Sequence, residues 1–130
     1  MSELIYKNKE HILDEKWAEE VLYLSYPIFE ESGLVRHGFS TRIGGVSEGI
    51  FSSMNLSFSR GDSDECVKEN FRRMSAAIGV DEESLVKSVQ THTTNVHQVT
   101  KQNRKNELTD IDGLITNEYL MLVLYHGFWG

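Results

Sequence analysis

Cysteine occurs once in this sequence, at Cys66, and proline once, at Pro27, while Lys and Arg number 13 against 20 Asp and Glu. A single thiol cannot close an internal disulfide, which excludes a cross-linked scaffold. A formal net charge of −7, with no long run of basic residues, excludes a nucleic-acid surface, because phosphate contacts need clustered Lys and Arg. Anionic membranes are disfavoured for the same reason. The longest apolar run, Leu120 to Tyr125, falls far short of the about 20 residues that a membrane helix needs. The opening Met-Ser-Glu-Leu-Ile-Tyr-Lys-Asn-Lys-Glu has no apolar core long enough for a signal peptide, so the expected location is cytoplasmic. Internal repeats and low-complexity segments are also missing.

What is present is an ordinary globular composition, 39% apolar and 25% charged over 130 residues, enough for a single domain with a real core. Residues 1–33 read as an irregular lead-in, holding a short strand at Val21-Leu22-Tyr23-Leu24 and one helical turn after Pro27 that Gly33 closes. Leu34 to Phe39 reads as a strand. The one clear helix follows: Val67, Phe71, Met74 and Ile78 recur at helical spacing after a cap at Asp62 or Ser63, and Gly79 ends it. Lys68, Glu69, Arg72 and Arg73 form its solvated face, and Cys66 beside the apolar stripe reads as a buried structural thiol. Leu85 to Gln90 and Asn95 to Thr100 read as two strands around a tight Thr-His-Thr-Thr connection, and Lys101 to Asp110 as a loop. Asp112 to Thr116 and Leu120 to Tyr125 read as two more strands. The last is apolar enough to be central in a sheet, and little chain follows to cover it, so self-association through an exposed strand is expected.

Five of the ten glycines fall between His37 and Asp62, with small hydroxyl residues filling most of the gaps. Glycine lets main-chain N–H groups approach a ligand, and Arg42, Arg60 and the hydroxyls of Ser40, Thr41 and Ser47 suit a phosphate or a sugar. The same residues suit two or three tight turns between short strands, and the segment completes no dinucleotide or P-loop pattern. The histidines are His11, His37, His92, His97 and His126, and no pair of them has the His-Glu-x-x-His spacing of a metal helix. His92 and His97 would face opposite sides of one continuous strand, though a turn between them leaves that geometry open.

The run Arg36-His37-Gly38-Phe39-Ser40-Thr41-Arg42-x-Gly44-Gly45-Val46-Ser47-x-Gly49, then Met54-Asn55-Leu56-Ser57 and Gly61-Asp62, resembles the opening signature of the laccase-domain proteins. These are the multicopper polyphenol oxidoreductases, which include bacterial peptidoglycan-editing factors. Val67-x-x-Asn70-x-x-Arg73, Val89-Gln90-x-His92-x-x-x-Val96 and Asp112-Gly113-Leu114-Ile115-Thr116-Asn117 fit the same pattern, so that residues 34–126 form the family-like region. The resemblance implies an α+β fold of mixed β-sheets covered by helices, in α/β/β/α layers. It implies a purine nucleoside phosphorylase or adenosine deaminase acting on a purine nucleoside, with phosphate for the first reaction. It also implies zinc, bound by His92 together with a cysteine and a second histidine from later motifs. Ser40, Arg42, Asn55 and Gln90 are the substrate-binding candidates by that carry-over, while His37 and Asp112 receive no assigned role. Copper oxidase chemistry would need many more His and Cys ligands than are present.

The pattern departs at one point. Gly127-Phe128-Trp129 stands where the family's Ala-Asp-Cys begins, so the cysteine ligand and the second histidine are absent. Cys66 sits on the helix and does not replace them; His126 is the substitute candidate. The chain therefore reads as one incomplete domain over 1–130, inactive as it stands, and the alternative reading is a small acidic binding module or a non-functional fragment that has lost the metal. Because agreement persists to the apolar strand and then stops abruptly, a frameshift near codon 127 is expected. Sequencing the locus checks this: another frame downstream should encode a Cys after a small residue and an Asp, then a His-x-Gly-Trp-Arg-like segment, and their absence from every frame would rule the frameshift out.

Overall fold

β2 (Val21–Ser25) is the middle strand of an antiparallel sheet, between β1 (Asp14–Ala18) and β3 (Phe39–Ser40). The structure is a computed structural model that describes residues 12–103, 105, 108–118 and 122–123. It divides into two compact units, Met1–Gly79 and Val80–Gly130. Val21 and Leu22 are both buried, which is why this apolar tetrapeptide forms the sheet's centre. β1 is Asp-Glu-Lys-Trp-Ala and carries no apolar alternation; it is recruited by the short turn at Glu19 and Glu20, which sets Ala18 opposite Val21 and Asp14 opposite Ser25. The expected irregular lead-in is therefore a strand pair followed by α1 (Pro27–Ser32), whose proline lies in the first turn and whose end is capped by Gly33 at φ 66°.

The strand expected over Leu34 to Phe39 forms only at its end. The β2–β3 register pairs Leu24 with Phe39, and two more steps would set Tyr26 opposite His37. Instead the Tyr26 N–H donates to His37 Nε2 at 2.7 Å. The imidazole takes the donor that a ladder would use, stacking on Tyr26 with centroids 6.1 Å apart and meeting Phe29 edge-on at 5.2 Å. His37 thus has a structural role in ending the ladder and holding the entry to α1.

α2 (Asp64–Ile78) begins at Ser63, whose hydroxyl accepts from the Cys66 N–H at 3.2 Å, and ends at Gly79 with φ 77°. The cap being Ser63, Asp62 is left for other work. Met74 packs with Val21 and Met54, and Tyr23, Leu56, Ala77 and Ile78 close around them. Phe71 stacks on Phe58 at 5.6 Å, and Val67 has no exposed surface; full burial of one such side chain contributes about 1.5 to 3 kcal/mol. Cys66 is a half-buried free thiol rather than a fully buried one. The helix face expected to be merely solvated is partly a clamp. Glu69 binds Arg72 and Arg73, and Arg73 Nη1 reaches on to the Gly44 carbonyl at 3.1 Å.

The second unit opens with a 3-10 turn over Glu82–Ser84, where Asp81 Oδ1 accepts from the Glu83 N–H at 3.0 Å. Four short strands follow, β4 (Leu85–Val86), β5 (Val96–Gln98), β6 (Gly113–Ile115) and β7 (Leu122–Val123). β4 pairs with β7 and β5 with β6, both in parallel, so the Thr-His-Thr-Thr connection does not fold one strand back on the other as expected. An isolated bridge joins Val89 to Thr109. Val86, Val99 and Leu108 form the core, with Ile111 and Leu114 against it. Of the expected strand over Leu120 to Tyr125, Leu122 and Val123 are extended; the rest, with His126 and Gly127-Phe128-Trp129, lies outside the described residues. The chain is α+β, with antiparallel and parallel sheets and one long helix. No helix among the described residues is long and apolar enough to cross a membrane.

Hydrogen bonds from Arg72 and then Arg73 hold the Glu69 carboxyl down at about 2, from an ordinary 4.5. A lowered carboxylate adds stability that is complete above its unfolded value and is lost as pH falls through the folded one. The wild-type chain should therefore lose more stability than Glu69→Gln between about pH 5 and about pH 2. Urea denaturation across that window checks it, and parallel acid limbs for the two proteins would refute it.

Candidate functional site

The glycine-rich segment is built by close approach of chain to chain. A Cβ on Gly44, which has φ 104°, would lie 2.5 Å from the Glu20 carbonyl oxygen, and one on Gly45 would lie 2.1 Å from that of Ser53. Neither position has space for a side chain. The N–H groups nearby are also occupied. Ile43 N donates to Thr41 Oγ1, Gly45 N to Ser53 Oγ, Val46 N to Asn70 Oδ1 and Ser47 N to the Ser53 carbonyl. These four amides are turned to the protein's own oxygens, which is the tight-turn arrangement of the two that the sequence left open.

One buried side chain gathers these turns. Asn70 has no exposed surface and sits on the apolar face of α2 between Val67 and Met74. Its Oδ1 accepts from Val46 N at 2.8 Å, and its Nδ2 donates to Ser47 Oγ at 2.9 Å and to the Asn55 carbonyl at 2.8 Å. Ser47 in turn donates to Asp62 Oδ2, which also accepts from Asn55 Nδ2 at 3.2 Å. The Ser47 hydroxyl is the main cause that holds the Asp62 carboxyl below its ordinary range; burial opposes it, and Asn55 and the Ser63 N–H add to it.

Of the residues singled out from sequence, Ser40, Arg42 and Asn55 lie in this first unit. Ser40 is half-buried on β3 opposite Tyr23. Arg42 is exposed, and its carbonyl accepts from Ser53 N at 3.0 Å and Met54 N at 3.1 Å, which fixes its backbone. Asn55 directs its amide to Asp62 and to the Ser57 backbone. Two hydroxyls proposed for ligands turn inward: Thr41 donates to the Leu22 carbonyl at 2.7 Å, and Ser47 belongs to the Asn70 cluster. Sequence reasoning missed the role of Asn70, although an amide inside an apolar stripe is a legible signal.

Gln90 and His92 lie in the second unit. Gln90 is half-buried directly after the Val89–Thr109 bridge, and His92 is exposed at φ 64°, in the left-handed region. Its stretch wraps around Asp112. One carboxylate oxygen accepts from Thr91 N at 3.1 Å and Thr93 N at 3.0 Å, and the other from His92 N at 2.9 Å. Thr93 Oγ1 adds a further bond at 2.9 Å. These donors, the Thr93 N–H foremost, hold the Asp112 carboxyl at about 2 against the opposing effect of burial. Among the described residues, no three His, Cys, Asp or Glu side chains converge as a metal site.

Comparison with known proteins follows the same residues. Residues 36–126 match the family described as multi-copper polyphenol oxidoreductase laccase. A purine nucleoside phosphorylase of Bacteroides thetaiotaomicron is 33% identical over 102 residues, covering 73% of this chain and 38% of that protein. The crystal structure of YlmD from Geobacillus stearothermophilus is similar with a TM-score of 0.73 and 31% identity, covering 86% of this chain and 43% of that one. For the hypothetical protein YfiH of Bacillus licheniformis the TM-score is 0.69 at 28% identity, covering 82% and 40%. The chain thus spans well under half the length of these relatives.

The Asn70 cluster generates a direct test. Asn70→Ala leaves Val46 N and the Asn55 carbonyl without that partner, while Ser47 Oγ keeps its bond to Asp62, and should cost roughly 2 to 4 kcal/mol, since each unsatisfied buried group costs about 1 to 3. Chemical denaturation measures it; a loss under about 0.5 kcal/mol, the size of an ordinary surface change, would show that water replaces the amide.

Proposed function

Because the chain belongs to the multi-copper polyphenol oxidoreductase laccase family, we propose that it serves purine nucleoside phosphorolysis, holding a purine nucleoside and phosphate. The observation that carries this reading is the presentation of His92: the histidine of the family-like Gln-x-His stretch is exposed, on a backbone fixed by Asp112, rather than packed in a core. In phosphorolysis a phosphate oxygen bonds to ribose C1′ as the C1′–N9 bond breaks, leaving ribose 1-phosphate and the free base, which takes a proton. The chain must therefore hold a dianion beside a sugar. Arg42 is the proposed phosphate ligand, since a guanidinium offers paired donors from an exposed position, and Ser40 lies two residues before it. In the first unit Asn55 is a further proposed nucleoside contact, with its side chain holding the Ser57 backbone; in the second, Gln90 is proposed as a nucleoside contact in its own right.

Zinc enters the proposal through His92 as one ligand. A catalytic zinc takes three protein ligands, and among the described residues no three His, Cys, Asp or Glu side chains converge, so no step is routed through the metal. Deamination of adenosine, the other activity that the resemblance implies, would call on the same histidine. The two reactions differ in product: ammonia for one, ribose 1-phosphate for the other.

The purified chain should hold well below one zinc per chain and show no turnover of inosine or adenosine, while inosine binding strengthens with added phosphate and weakens roughly tenfold in Arg42→Ala. Metal analysis and saturation-transfer NMR check this. Near-stoichiometric zinc that is lost in His92→Ala would show that the ligand set is complete in this chain. Absence of inosine binding at any phosphate concentration would favour a binding module of another kind.

A further inference from the structure

We infer that Asp112 is a positioning residue, which acts through the backbone of Thr91 to Thr93 to hold His92 in its left-handed, exposed conformation. The inference rests on the reading of His92 as a presented ligand. Three successive N–H groups cannot meet one acceptor in an extended chain, where they point to alternate sides; they converge only when the chain curls, and here the curl passes through a positive φ at His92. For a residue with a Cβ that conformation is unfavourable, so it persists only where the surroundings hold it.

The surroundings here are built for that purpose. Asp112 stands directly before β6, and its own N–H and that of Gly113 both donate to the Asn95 carbonyl at 3.1 Å. Asn95 Nδ2 returns to the Asp110 carbonyl at 2.9 Å, and Thr91 Oγ1 donates to Asp110 Oδ1 at 3.0 Å. The loop is thus fastened at both ends to residues 110–112, and between those ends the His92 N–H donates to Asp112 Oδ2 at 2.9 Å. A carboxylate suits the position because the loop presents donors alone. An amide of the same shape would turn an NH₂ towards one of them.

The test uses Asp112→Asn and Asp112→Ala in the full chain, labelled with ¹⁵N and ¹³C. The expected result is that the coupling constant and Cβ shift that report positive φ at His92 are lost in Asp112→Ala and weakened in Asp112→Asn. Exchange of the His92 amide should accelerate on the order of tenfold in Asp112→Asn, while the Val99 amide, bonded to the Ile115 carbonyl, keeps its protection. A merely structural Asp112 would lower the melting temperature and leave the φ signature of the folded population unchanged, and that result would overturn the inference. Where Asp112→Ala fails to fold, the Asn variant decides alone. Zinc added to the wild-type chain tests the underlying reading separately: a His92 ring that does not respond removes the ligand role and leaves the positioning result intact.

Discussion

The amide of Asn70 is the group on which the first unit's loops depend. Its position is apolar by every other criterion, between Val67 and Met74 on the buried face of α2 and with no exposed surface. A buried polar group is tolerable only when satisfied, and this one has both a carbonyl and an N–H to serve in the loops facing it, at Asn55 and Val46. Leucine would leave both without partners. A carboxylate would serve Val46 and present a second acceptor to the Asn55 carbonyl. The amide accepts once and donates twice from one short side chain, and through it the turns at residues 45–47 and 55 are fixed to a helix that is itself fixed to β2 by Met74 against Val21.

The second unit solves a related problem with a different group. The stretch from Thr91 to Thr93 offers three N–H donors and no carbonyl to the residue it surrounds, and Asp112, which only accepts, is that residue. The charge then strengthens every bond it receives. The choice of Asn in one place and Asp in the other follows from what the neighbouring backbone presents, not from any shared sequence pattern. In both places a side chain takes donors that a β ladder or a helix would otherwise use, which is why loops persist between such short strands. The same exchange ends the β2–β3 ladder, where His37 Nε2 takes the Tyr26 N–H.

Signals that belong to single elements were legible in the sequence. The stripe of Val67, Phe71, Met74 and Ile78 with its glycine stop gave α2, Pro27 and Gly33 bracketed α1, and the apolar tetrapeptide at Val21 gave β2. Signals that depend on a partner were not. β1 has no apolar alternation and exists because a short turn lays it on β2. The two strands read around the Thr-His-Thr-Thr connection rested on two extended runs and a polar link, a pattern that does not say which strand pairs with which; each pairs in parallel with a later strand, and the link itself wraps Asp112, some twenty residues on. The family resemblance singled out Ser40, Arg42, Asn55, Gln90 and His92 as candidates, but not what each side chain touches. Thr41 and Ser47 carry hydroxyls like any ligand-binding residue, and only the fold shows that they point to Leu22 and Asp62.

The glycines sharpen what the proposed chemistry can rest on. Gly44 and Gly45 lack side chains because other backbone occupies the space, and the N–H groups beside them are bonded to Thr41, Ser53 and Asn70. The amides of Ile43, Gly45, Val46 and Ser47 are thus engaged within the protein, and an anion beside them would be met by side chains, in contrast to a phosphate cradle made of main-chain amides. Side-chain binding costs more rotamer entropy per bond, and fixing the backbone beneath each side chain reduces that cost. Arg42 meets the condition, since its carbonyl is held by Ser53 and Met54 while its side chain is exposed; His92 meets it in the other unit through Asp112. The Asn70 cluster holds the turns at residues 45–47 and 55, and Asp112 holds the stretch from Thr91 to Thr93. On the proposed function, a substitution of Asp112 should therefore act through the position of His92 and one of Asn70 through Ser47 and Asn55, while the backbone beneath Arg42 is held separately by Ser53 and Met54.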